Sequence, residues 1–175
     1  GNILGEEQSG HIAAVGFELY CSLLQEAVAK LEKREIKIRR TVPIMIDFIT
    51  SSLVPVAGKL QAVIPPEYVE DAIVRINFYK RLENVNECKD LEDLKKEMID
   101  RFGHLPEAVD NLFTLQKIKL LASQKHLLRI NCKDGRVVVE TKSGVLKING
   151  SVPIISEKSL KSKLQEIVKI VSEVS

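Results

Sequence analysis

Apolar residues recur at helical spacing over the first part of the chain. Val15, Leu19, Leu23, Ala27 and Leu31 fall four apart, with Leu24 and Val28 beside them, which predicts a helix with one broad apolar stripe from Val15 to about Lys33. The basic run Lys37, Arg39 and Arg40 ends this pattern and leads to Pro43, so 34–42 reads as a linker. Ile44, Ile46 and Phe48 then alternate with Met45, Asp47 and Ile49, the period of a strand over 43–49. A second strand is expected at 59–64, closed by Pro65 and Pro66.

Three helices are expected next. Pro66 stands near the first turn of one over 67–83, with Val69, Ile73, Ile76 and Tyr79 inward. Asp90 is placed to cap a second over 91–102, which carries Leu91, Leu94, Met98 and Phe102. Gly103 suits the position just past its end, and Pro106 opens a third helix running to about Ser123. Val109, Leu112, Phe113 and Leu120 form the apolar face of that third helix.

The pattern then turns to a short meander. Leu128, Ile130 and Cys132 alternate up to Asp134-Gly135, a strong two-residue hairpin signal. Val137–Thr141 returns, Ser143-Gly144 turns again, and Val145–Ile148 makes a third strand. Ser156 is placed to cap a last helix bearing Leu160, Leu164, Ile167, Val168 and Val171. The expected class is α+β: a helical N-terminal appendage over 1–40, then a helix-rich domain with a short antiparallel sheet over 41–175.

Composition narrows the function. Apolar residues make up 45% and charged residues 29% of the 175, a globular profile. No apolar run approaches the ~20 residues of a membrane span, and no targeting peptide is visible, so a cytoplasmic location without membrane partners is expected. The formal charge is only +2, from 26 basic and 24 acidic residues, far from the strongly basic footprint of an autonomous nucleic-acid binder. Aromatic residues are 5% with no Trp, poor material for stacking bases.

A self-contained catalytic site is not expected. The chain has no G-x-x-x-x-G-K-[ST] phosphate loop and no G-x-S-x-G elbow. His11, His104 and His126 are isolated, and Cys21, Cys88 and Cys132 lack metal-ligand spacing and read as reduced thiols. No catalytic residue, metal site or cofactor is assigned.

The first ten residues carry Gly1, Gly5 and Gly10 around Glu6-Glu7-Gln8. The stretch GNILGEEQSGHIAAVGFELY (1–20) resembles the closing part of the translocation motif that follows the motor of bacterial double-stranded DNA translocases. It is similar to that of the transcription-repair coupling factors and, less closely, of RecG-type helicases. On this resemblance the chain is a C-terminal piece of a large ATP-dependent translocase, with ATP and Mg held in the parent motor. Gln8 occupies the place of the motif's glutamine, which couples hydrolysis to movement along duplex DNA. An amide both donates and accepts hydrogen bonds, which suits a bridge between moving parts.

Two further blocks, IPPEYVEDAIVRINFYKRL (64–82) and LKKEMIDRFGHLPEAVDNL (94–112), resemble the terminal domain of the coupling factors, which RecG-type helicases lack. The resemblance implies an autoinhibitory regulatory domain without catalysis of its own. Such a domain folds back on the parent's UvrB-like module and covers the surface that recruits UvrA, until the factor engages a stalled RNA polymerase. Asp93, Glu97 and Asp100 are spaced i, i+4, i+7, which puts three carboxylates on one stripe of the second helix. The resemblance implies that Glu97 and Asp100 face basic side chains of the UvrB-like module. On spacing alone, intrahelical pairs such as Glu97 with Arg101 are the favoured account of them; the resemblance tips the reading to the interface.

Lys37, Arg39 and Arg40, with Lys30, Lys33 and Arg34, are candidate phosphate contacts for duplex DNA; a solvated linker accounts for them as well. They also define a rival reading, an independent duplex-DNA-binding module using the 30–40 basic cluster.

Overall fold

The computed structural model describes Leu24 and residues 41–175. The expected helix over 15–33, apart from Leu24, and residues 34–40 of the linker expected over 34–42 therefore lie outside the described residues.

The segment expected as one strand over 43–49 is divided in two. Asp47 and Phe48 make a turn between β1 (Ile44–Ile46) and β2 (Ile49–Thr50). Both pieces pair in parallel with strands later in the chain: β2 with β3 (Leu60–Gln61), and β1 with β4 (Arg129–Lys133). In the β1–β4 register Ile44, Met45 and Ile46 stand opposite Ile130, Asn131 and Cys132. The expected meander completes this sheet, β4 running antiparallel to β5 (Arg136–Thr141), and β5 to β6 (Gly144–Val145), in the order β1-β4-β5-β6. Asp134 and Gly135, both at positive φ (51° and 78°), make the two-residue turn between β4 and β5. The third strand of the meander is shorter than its pattern suggests. It ends at Val145, and Ile148 turns back on Ser151 instead.

Four helices are described: α1 (Ala72–Glu83), α2 (Cys88–Phe102), α3 (Glu107–Gln124) and α4 (Leu160–Ser172). Three helix starts differ from expectation. Residues after Pro66 form a tight turn in which the Tyr68 and Val69 N–H groups donate to Pro65 O, and α1 begins only at Ala72. Its cap is Asp71, whose carboxylate accepts from the N–H groups of Ile73 and Val74. Of the residues expected inward, Val69 and Tyr79 are buried and Ile76 is partly so, but Ile73 is 65% exposed; Phe78 and Leu82 complete the buried side. For α2, Asp90 is not the cap. The helix starts at Cys88, and Asp90 lies in the first turn, where a negative charge meets the positive end of the helix dipole. For α4 the cap is Ser159, accepting from Ser162 N–H, while Ser156 is bound by Glu166.

Two apolar clusters result. The first puts the inward residues Ile130, Cys132, Val137 and Val139 of the sheet against Ile118 and Ala122 of α3 and Leu164, Ile167 and Val171 of α4. The second joins Phe78, Tyr79 and Leu82 of α1, Leu91, Leu94 and Met98 of α2, and Val109 and Phe113 of α3. One helix serves both: the first half of α3 packs in the helical cluster and its second half under the sheet. Asp110 adds a polar tie, paired with Lys95 of α2 at 3.3 Å and Lys161 of α4 at 2.7 Å. The α+β class expected from the pattern is the class observed.

Candidate interaction face on the second helix

Leu91, Leu94 and Met98 turn one side of α2 into the helical cluster, which leaves the opposite side in solvent. Asp93 and Asp100 lie on that outer side, both exposed. Among the described residues neither takes part in an ion pair, although Lys96 is four residues before Asp100. The stripe read from spacing therefore exists, with two of its three carboxylates uncommitted among the described residues.

Glu97 is different. Arg81, on the last turn of α1, grips it with both guanidinium nitrogens, Nη1 to Oε2 at 2.5 Å and Nη2 to Oε1 at 2.9 Å. This is the two-pronged match of guanidinium to carboxylate, stronger and more directional than a single contact. Arg101, one turn further along α2, adds a weaker contact at 3.5 Å. The intrahelical pair expected from spacing is thus present but secondary. The hydrogen bonds from Arg81 hold the Glu97 carboxyl below its ordinary value, against the opposing pull of desolvation.

Aromatic rings fix the two arginines. Arg81 and Arg101 each lie with the guanidinium carbon 5.3 Å from the centre of the Phe78 ring, and Arg101 is 5.0 Å from that of Phe102. Phe102 packs edge-on against Phe78 and Tyr68, both centres 5.7 Å away. Tyr68 in turn donates its hydroxyl to Gly103 O at 2.8 Å, tying the end of α2 to the turn before α1. Beside this array an open groove of about 500 Å³ runs between α1 and α2, lined by Lys80, Arg81, Asn84, Asp90, Asp93 and Glu97 among others. Its rim is charged with both signs, which suits a polar protein surface better than a small apolar ligand.

Gln8, Lys37, Arg39 and Arg40 lie outside the described residues. Arg81 is the residue that sequence reasoning missed. It sits in the block FYKRL, sixteen positions before Glu97, and helical periodicity relates residues three or four apart, never residues on two different helices. Elsewhere, burial and the nearby Asp47 carboxylate push the Cys132 thiol up to about 11, which makes it an inert core residue. Among the described residues no three His, Cys, Asp or Glu side chains gather to hold a metal, and no helix is long and apolar enough to cross a membrane.

The same region carries the likeness to known proteins. The family model described as the TRCF domain matches residues 59–147, which include α1, α2, α3, β4 and β5. The transcription-repair-coupling factor of Rickettsia prowazekii is 33% identical over 171 residues, covering 98% of this chain and 14% of that protein. Those of Haemophilus influenzae and Bacillus subtilis are 36% and 37% identical over 132 and 127 residues, covering 75% and 73% of this chain. The chain thus spans only 14%, 11% and 10% of the length of these three relatives. A crystal structure of the C-terminal domain of a transcription-repair coupling factor shares the fold, with a TM-score of 0.59 at 18% identity over 77% of this chain and 93% of that one. With the family model matched over half of its length, the chain belongs to the TRCF domain family.

Proposed function

We propose that this chain is the C-terminal regulatory domain of a transcription-repair coupling factor, and that it works by contact rather than by catalysis. The parent is an ATP-dependent translocase on duplex DNA that displaces stalled RNA polymerase and recruits excision repair. In its resting state the domain lies on the UvrB-like module of the same protein and masks the surface that binds UvrA. ATP and Mg belong to the motor, and Gln8 to the end of its translocation motif. Lys37, Arg39 and Arg40 serve as phosphate contacts beside the motor.

The observation that carries this reading is the outer side of α2, where Asp93 and Asp100 are exposed and without an ion-pair partner among the described residues. Uncommitted carboxylates on a rigid helix complement a basic surface, give it register and speed the encounter. Such contacts are individually weak, about 0–1 kcal/mol when exposed. Weakness suits an autoinhibitory contact, because a small change at the interface then shifts the closed–open equilibrium. Supporting it further, the matched family region, 59–147, takes in both sequence blocks that carry the resemblance, and the relatives are transcription-repair-coupling factors.

The test is a titration of the 175-residue chain against the UvrB-like module of its parent, at low and moderate salt. Saturable binding that weakens with salt, and is lost in Asp93→Lys/Asp100→Lys, is the expected result. Salt-insensitive binding that survives both reversals would place the contact elsewhere. UvrA binding to the full-length protein supplies the functional readout: the same double reversal should raise it.

A further inference from the structure

Glu97 stands at the centre of the acidic stripe, yet the two-pronged edge of its carboxylate is already taken. Arg81 binds it through both nitrogens, at 2.5 and 2.9 Å, and Arg101 approaches at 3.5 Å. A carboxylate has two oxygens, and one guanidinium presented edge-on takes up both. An arginine arriving from a partner therefore meets no open fork at Glu97. For a two-pronged grip it must displace Arg81; otherwise it is left with a single lateral contact at Glu97 or with Asp93 and Asp100.

We infer that Arg81 is a built-in competitor for the partner's basic side chain, an internal stand-in that weakens the contact and so keeps the closed state easy to open. The inference rests on the reading of α2 as the face that meets a basic surface of the UvrB-like module.

Three observations carry it. The pair is half-exposed, with 49% of the Arg81 and 37% of the Glu97 side chain open to water, so exchange of partners needs no unfolding. Arg81 has somewhere to go, since its guanidinium rests against the Phe78 ring, which holds it when Glu97 lets go. Finally, Arg81 and Arg101 put two positive charges around one negative charge, so this part of the face repels a basic partner while Asp93 and Asp100 attract it. Removing Arg81 turns the local balance and opens the fork at Glu97. Arg101 cannot replace it, because from the same helix it reaches only Oε2, at the longer distance.

The experiment compares the affinity of the UvrB-like module for the unaltered chain and for Arg81→Gln, Glu97→Gln and the double variant. An exposed ion pair that competes with binding is worth up to about fivefold. Arg81→Gln should therefore tighten binding about two- to fivefold and slow dissociation. The effect should vanish when Glu97 is also Gln, since there is then no fork to free. Arg81→Lys, which keeps the charge and loses the two-pronged geometry, should fall between. Circular dichroism and the denaturation midpoint of each variant check that the fold persists.

Unchanged or weaker binding by a folded Arg81→Gln chain overturns the competitor role while leaving the acidic face standing, provided Asp93→Lys/Asp100→Lys still abolishes binding. Tightening that persists in the Glu97→Gln background also overturns it, because the gain is then only general charge. Binding that ignores all the acidic residues, or no binding at all, removes the underlying reading and this inference with it.

Discussion

Tyr79 offers a sharp test of how the helical half of the protein is held together. The Ile64 N–H donates to the Tyr79 hydroxyl oxygen at 2.7 Å, and both residues are buried, at 0% and 6% exposure. Ile64 is followed by Pro65 and Pro66, which have no N–H, so this donor is the last one before the turn that leads into α1. In Tyr79→Phe the ring keeps its place beside Phe78 and Leu82, but the Ile64 N–H loses its acceptor in a site without water access. An orphaned buried donor costs about 1–3 kcal/mol, more than the bond itself contributes on balance. A net loss of about 1–2 kcal/mol is expected.

Urea denaturation should show this as a lower midpoint with an unchanged slope, because the surface exposed on unfolding stays the same. The melting temperature should fall by about 2–4 °C per kcal/mol in a chain of this size. Hydrogen exchange at the Ile64 amide supplies the local readout and should accelerate by more than the global loss explains. The charged face should be untouched, since Arg81 leaves α1 on its exposed side. An unchanged midpoint together with a still-protected Ile64 amide would refute the reasoning, and would show that another acceptor serves this donor.

Gly103 ends α2 at φ 91° and ψ −164°, a region open essentially to glycine alone. An added Cβ would meet nothing within 4 Å, so Gly103→Ala should lose about 1–3 kcal/mol through backbone strain alone, read from the same denaturation curves. Asp110 gives a pH signature. Burial raises its pKa, but hydrogen bonds from Lys161 and Lys95 outweigh this and hold it below the ordinary 3.8. A depressed folded pKa means that its stabilisation is present above that value and fades as pH falls through the lower folded one. Asp110→Asn should thus lower stability at pH 7 by about 0.5–1 kcal/mol and flatten the stability–pH curve below about pH 4. Lys125, just past α3, donates to the carbonyls of Ser172 and Val174 at the end of α4. Lys125→Met should cost about 1 kcal/mol and selectively speed amide exchange in the last turn of α4.

Much of this molecule was legible from spacing alone, because local patterns report which side of an element is apolar and where the chain must turn. The buried sides of α2 and α4, the Asp134-Gly135 hairpin, the glycine that ends α2 and the α+β class all follow from residues within one or two turns of each other. The outward placement of Asp93 and Asp100 follows in the same way, from the inward placement of Leu94 and Met98. Helix starts were less secure. Pro66, Asp90 and Ser156 all have the chemistry of a helix beginning, but so do Asp71 and Ser159, whose side chains cap α1 and α4, while Glu87 precedes α2 without a side-chain cap.

What tertiary structure alone decided are the pairings between distant residues. Ile44 lies beside Ile130 in a parallel ladder, a contact that a three-residue strand cannot specify by itself. The Lys95–Asp110–Lys161 tie joins three helices. The pairing of Glu97 with Arg81 depends on how α1 crosses α2, which is set by Phe78, Leu82, Leu94 and Met98 in the core beneath it. Periodicity names the face of a helix; only packing chooses what that face meets, because the apolar residues that bring two helices together carry no record of which polar residues will then stand side by side.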